Sequence, residues 1–282
     1  MTAIFLTIIC SSSIAIILKL NDNRKGPALV LLAANYFVAG MISLFMFLSQ
    51  EIQAISIESF LFGTLLGSIF VMAFFLFTLS VRVAGTALAT VSSRLSVIVP
   101  VIFAMIIFRE IPGAVQVVGL IFAILTIYFF YRSLRNNPNG QLHLREYMVL
   151  ILLLVGIGVN DFCMKLFQSW RPANEKPFFL LCIFFAAWIY STGYVIVKKI
   201  PVDRRTINLG LLLGVPNIFS SYFLIAALTE VPAIIVYPLV NIGIILLTAL
   251  AAWIIWREKL NRAGLRALMT GIAAIVLLGF TG

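Results

Sequence analysis

Arg94 and Asp161 place ionisable groups deep inside apolar sequence. Arg94 stands in Ala89-Thr90-Val91-Ser92-Ser93-Arg94-Leu95-Ser96, and Asp161 follows Asn160 in a second long hydrophobic run. The other carboxylates among the 10 fall in breaks or near the ends of such runs. An ion at that depth in lipid costs about 2.5–3.5 kcal/mol on insertion scales, so it is kept where it faces a partner, a ligand or a wet cavity. A guanidinium presents a fork that fits a carboxylate or a phosphate. A lone buried acid can hold an ammonium or a proton. Arg94 therefore has two readings: a structural ion pair with Asp161 that locks two helices, or a contact to substrate. Asp161 also has Lys165 four residues on, in the orientation that favours a pair within one helix. That pair would neutralise it locally; otherwise a proton-coupling role is open to it.

Neutral polar residues recur at helical spacing around these charges. Thr86, Thr90 and Ser93 share one helical face with Arg94 at its edge, the pattern of a wall facing water. Asn217 and Ser221 are four apart, as are Tyr237 and Asn241. Interhelical hydrogen bonds worth about 1 kcal/mol or less would account for part of this set, which includes Asn35 and Ser220. The candidate substrate-binding residues are Arg94, Ser93, Thr90, Asn217, Tyr237 and Asn241, with Asp161 and Lys165 as an ion pair or a coupling site. Pro100, Pro216 and Pro238 lie within apolar runs and mark places where a helix can bend. Gly63/Gly67 and Gly210/Gly214 are GxxxG pairs, suited to close helix packing within the chain or between protomers.

Signals for catalysis or a cofactor are lacking. The single histidine, His143, sits among Leu and Arg, and the sequence has no paired carboxylate, HExxH, Walker loop or nucleophile elbow. Cys10, Cys163 and Cys182 lie in apolar runs without metal-ligand spacing. No cofactor, metal site or enzymatic activity is expected.

The elements that must position these residues follow from composition. Hydrophobic residues make up 62% of the chain and charged residues 11%, with a mean hydropathy of +1.13. No core of this chain length could hide so much apolar surface, so the solvent must be lipid. With roughly 17–25 apolar residues needed per crossing, the chain divides into spans at about 2–20, 28–49, 58–80, 84–108, 112–132, 146–168, 177–199, 206–228, 232–256 and 262–281. Lipid cannot satisfy exposed backbone, and runs this long without alternation are helices rather than barrel strands. The fold class expected is all-α integral membrane, with ten transmembrane helices in two inverted five-helix repeats. Residues 1–135 form the first repeat, 136–145 a linker and 146–282 the second. The net charge of +10 is dispersed loop by loop, which excludes a nucleic-acid surface. Those basic residues concentrate in the odd-numbered loops, a bias that places both termini outside.

The repeat is visible in the residues themselves. Phe108-Arg109-Glu110 returns as Trp256-Arg257-Glu258, and sliding the chain so that these coincide lays Phe77 on Ile225 without a gap. Val83-Ala84-Gly85 then falls on Val231-Pro232-Ala233, and Asn241 on Ser93. Gly119 and Gly271 follow in the next spans, and Lys19 and Lys165 occupy matching places in the first and sixth. This order of motifs, over essentially the whole chain, resembles the drug/metabolite transporter superfamily of the EamA type. The chain departs from that pattern at Arg109 and Arg257, where the family often has glycine before the glutamate.

The resemblance implies a ten-helix carrier with a central cavity, working by alternating access, and with its termini inside. The residues and the resemblance together point to a multi-pass protein of the inner (plasma) membrane, monomeric or homodimeric. The expected activity is secondary transport, in the export direction, of a small polar metabolite such as an amino-acid-like anion or zwitterion. The rivals are a proton-coupled exporter of hydrophobic cations working through Asp161 and a membrane-embedded lipid-modifying enzyme.

Overall fold

A computed structural model describes residues 1–51, 54–84, 86–134, 144–257 and 262–279. Gly85, His143, Glu258 and most of the linker at 136–145 lie outside the described residues, as do the side chains of Thr86, Ala87 and Trp256. Among the described residues every regular element is helical. In chain order these are α1 (Thr2–Asn23), α2 (Ala28–Leu48), α3 (Ile57–Ala84), α4 (Thr86–Leu95), α5 (Ile98–Ile107) and α6 (Ala114–Leu134). Then follow α7 (Leu144–Trp170), a 3₁₀ turn (Ala173–Glu175), α8 (Lys176–Val197), α9 (Arg204–Glu230), α10 (Ala233–Trp256) and α11 (Arg262–Gly279). With α4 and α5 counted as one crossing, 10 helical segments among the described residues are long and apolar enough to span a membrane, the mark of a multi-pass membrane protein.

Helix ends carry the local chemistry that stops a chain. Pro27 and Pro232 precede α2 and α10 in extended conformation, where a missing N–H costs nothing. At the opposite kind of boundary, Arg109 and Arg257 take left-handed backbone, with φ of 53° and 55°. A left-handed turn after a helix is glycine's usual place, so this chain bears a small strain at both positions.

The fourth crossing differs from the expectation of one continuous helix over 84–108. Pro100 cannot donate to the carbonyl of Ser96, and its ring crowds that carbonyl. The helix stops at Leu95 and restarts at Ile98, with Val99 N–H bonding to Ser96 O at 3.0 Å instead. Pro216 and Pro238, by contrast, are absorbed within continuous helices.

The chain clusters into two compact units, each drawing on both halves of the sequence. The first comprises residues Met72–Lys165 and Ala227–Gly282 with Met1; the second comprises Thr2–Val71 and Leu166–Ala226. In the first, α6 and α11 make the most extensive pairing, and α10 packs on α5, α6 and α11. In the second, α2 lies along α8. Both GxxxG pairs serve the second unit internally. A Cβ on Gly67 would sit 2.5 Å from Ile183 O in α8, and one on Gly210 would sit 2.4 Å from Leu31 O in α2.

Candidate functional site

The polar residues of the first unit are joined across three helices. Arg94 lies in the last turn of α4, where the helix dipole favours a cation. Its Nη1 donates to Asn241 Oδ1 on α10 at 3.4 Å. Asn241 Nδ2 donates to the Tyr237 carbonyl at 3.1 Å, fixing the face that the four-residue spacing predicts. Tyr237, 1% exposed, donates its hydroxyl to the Asp161 carbonyl on α7. Arg94, Asn241, Tyr237 and Asp161 are thus one connected set.

The charges in this set are incompletely matched. Among the described residues Arg94 and Asp161 form no ion pair within 4.0 Å, although each feels the other's charge. Both are half-buried. The Asp161 carboxylate accepts no hydrogen bond among the described residues. The neighbouring Asn160 is 9% exposed, and its Oδ1 has no donor. A buried acceptor without a donor is uncommon in a settled core.

Lys165 is placed differently from the expectation of a pair with Asp161. Its Nζ lies 3.1 Å from Glu110 Oε1 and 5.3 Å from the Phe108 ring centre. The second carboxylate oxygen, Oε2, accepts the Ile234 N–H at 3.1 Å in the first turn of α10. Glu110 therefore meets both an ammonium and the positive end of a helix. The side chains of Lys165 and Glu110 are 11% and 12% exposed, so this is a buried pair and not a lysine reaching for headgroups. Phe162 packs against Phe103 at 4.8 Å and Phe108 at 6.4 Å beside it. Sequence reading took Glu110 as a repeat marker. The signal available was its sign and its place at the same end of the crossings as Lys165.

Ser93 and Thr90 contribute less than their spacing implies. The Ser93 hydroxyl donates back to the Thr90 carbonyl at 2.7 Å, and Ser96 does the same to Ser93 at 2.6 Å. The link from α4 to α7 comes from Ser92, whose hydroxyl donates to Leu150 O at 2.5 Å. Ser92 is 7% exposed and was not distinguishable from its neighbours by spacing.

Asn217 belongs to the second unit, where its Nδ2 donates to Asn35 Oδ1 at 3.1 Å. Ser11 and Ser220 share a hydrogen bond at 2.7 Å in the same unit. One charged cluster there lies at the α7–α8 connection. Glu175 takes Arg171 in a two-point bond at 3.0 and 2.8 Å, together with the hydroxyls of Ser56 and Ser59 at 2.7 and 2.5 Å. The hydrogen bond to Glu175, with the nearby charges of Glu175 and Glu58, raises the Arg171 pKa further. Every oxygen of Glu175 is satisfied, so this cluster staples the α7–α8 connection to the start of α3.

No family model matches this sequence. An uncharacterized protein of Haemophilus influenzae is 23% identical over 286 residues, covering 96% of this chain and 95% of that relative. A solved structure described simply as the crystal structure of a protein superposes with a TM-score of 0.80 at 14% identity, covering 98% of this chain and 94% of its own. At that identity the likeness establishes a shared fold.

Proposed function

We propose that this chain is a secondary carrier of the drug/metabolite transporter, EamA type, exporting a small carboxylate-bearing metabolite, amino-acid-like in charge, by alternating access. The observation that carries the reading is Arg94: a half-buried guanidinium at a helix break, held by one long hydrogen bond. Among the described residues its other N–H groups have no acceptor and can take a substrate carboxylate, which would recover the solvation lost to the apolar surroundings. Asp161 offers an acceptor for an ammonium on the same molecule. Tyr237 and Asn241 hold the guanidinium and α7 in register. Broken helices near the middle of the bilayer are where carriers of this kind bind substrate.

Duplication supports the architecture. The second crossing of each half, α2 and α8, pair with each other, and so do the fifth, α6 and α11. Elements near a twofold axis pack on their own counterparts, as at an isologous interface. The left-handed Arg109 and Arg257 repeat at the same step. With five crossings per half, the second half enters from the opposite face.

The test is thermal stabilisation of purified protein by a panel of amino acids, dicarboxylates and lipophilic cations. A ligand at about 100 times its Kd adds about 2.7 kcal/mol. Amino-acid-like anions should raise the melting temperature of the wild type and leave Arg94→Gln unmoved. The unbonded Asp161 carboxylate favours a second reading, proton-coupled export of hydrophobic cations. That reading gains if cations stabilise the protein, if Asp161→Asn abolishes the effect, and if proteoliposome flux demands a pH gradient.

A further inference from the structure

The second unit carries a basic cleft that the carrier reading does not use. A hollow of about 430 Å³ opens between the α1–α2 turn and the start of α9, lined by Asn21, Arg24, Gly26, Asp203, Arg205 and Thr206. A second hollow of about 350 Å³ shares Arg24, Arg205 and Leu209 with it and continues onto Leu212. The wall is tightly built. A Cβ on Gly26 would fall 2.7 Å from Thr206 Oγ1, so the turn is pressed directly against α9.

The lining groups define what would fit. Arg24 and Arg205 are exposed, and among the described residues neither takes part in an ion pair. Asp203 is engaged as the cap of α9, its Oδ2 accepting the Thr206 N–H at 3.2 Å and hydroxyl at 3.4 Å. Asn21 is 3% exposed; its Nδ2 donates to Gly26 O at 3.0 Å and its Oδ1 is buried against Gly26, so its amide closes the turn. Leu209 and Leu212 lie three apart on one face of α9, and Leu212 is 59% exposed. Two guanidiniums suit the oxygens of a phosphate ester. The leucine strip leading away calls for hydrocarbon. A soluble phosphate meets the first of these two requirements, and an anionic phospholipid meets both.

We propose that this cleft binds the headgroup of an anionic phospholipid. The phosphate lies between Arg24 and Arg205, and an acyl chain follows Leu209 and Leu212. Basic pockets among membrane helices recognise anionic headgroups by this chemistry.

The experiment is native mass spectrometry and thermal unfolding of the detergent-purified chain with dioleoyl phosphatidylglycerol, dioleoyl phosphatidylcholine or glycerol 3-phosphate. Phosphatidylglycerol should remain bound and raise the melting temperature by several degrees, with little effect from the other two. The Arg24→Gln/Arg205→Gln pair should lose that shift, and Arg24→Lys/Arg205→Lys should keep part of it. The wild-type shift should also shrink as sodium chloride is raised, since the mouth of the cleft is open to solvent. Equal stabilisation by phosphatidylcholine would reduce the site to ordinary lipid contact, and a full shift from glycerol 3-phosphate would make it a soluble-anion site. Survival of the shift in the glutamine pair, or indifference to salt, would overturn the proposal outright.

Discussion

The two units solve the same problem, polar groups amid hydrocarbon, in opposite ways. In the second unit amides and hydroxyls within the crossings pair with one another, Asn217 with Asn35 and Ser11 with Ser220. Its Glu175–Arg171 cluster sits at the ends of helices, where Glu175 has a donor for each oxygen. In the first unit the charges themselves lie within the crossings. Lys165 and Glu110 are matched, yet Arg94 and Asp161 are left with bonding capacity to spare. Neutral pairs are enough to register one helix against another. An incompletely matched ion in lipid costs more than packing requires, and under the carrier proposal that excess is what a polar substrate relieves.

The contrast can be broken at its strongest point first. Lys165→Met should cost about 3–5 kcal/mol, because it leaves Glu110 buried without its counter-ion. Adding Glu110→Gln to it should recover most of that loss. Equilibrium unfolding in mixed micelles measures both, and a single-variant loss near zero would mean that the pair is solvated. Next in size is the neutral layer. A double-mutant cycle on Asn35→Ala and Asn217→Ala should give a coupling of about 0.6 kcal/mol, with about 1.7 kcal/mol as the upper bound for such bonds. Ligand-induced stabilisation should survive in Asn217→Ala, and its disappearance would move Asn217 from packing into the substrate site. Smallest of all, Arg109→Gly and Arg257→Gly should each raise stability by less than about 1 kcal/mol. Relief of left-handed strain is partly offset by glycine's entropy. Effects of opposite sign at the two positions would weaken the case for duplication.

Much of the fold could be read in advance, because the constraint acting on each crossing is local. The run expected at 28–49 is α2 at Ala28–Leu48, and the one expected at 262–281 is α11 at Arg262–Gly279. Pro100 was visible as a bend, yet its outcome as a break next to Arg94 depended on how the freed Ser96 carbonyl was rebonded. The Tyr237–Asn241 face was also legible, since both residues ride on one helix. Partner choice was not. Spacing offered Lys165 to Asp161, whereas folding brought Glu110, far off in the chain, to 3.1 Å from it. The same limit hid the roles of Ser92 and Asn160, whose importance lies in what stands opposite them.

What the sequence determined by itself was the number, length and helical nature of the crossings, and the presence of charge among them. Each of these follows from composition and from a backbone that must bond within its own segment in lipid. Tertiary structure alone decided which charges are neutralised and which are left with capacity to bind. Pairing energy falls off over a few ångströms, and those distances are set by helices that are neighbours in space and not in sequence.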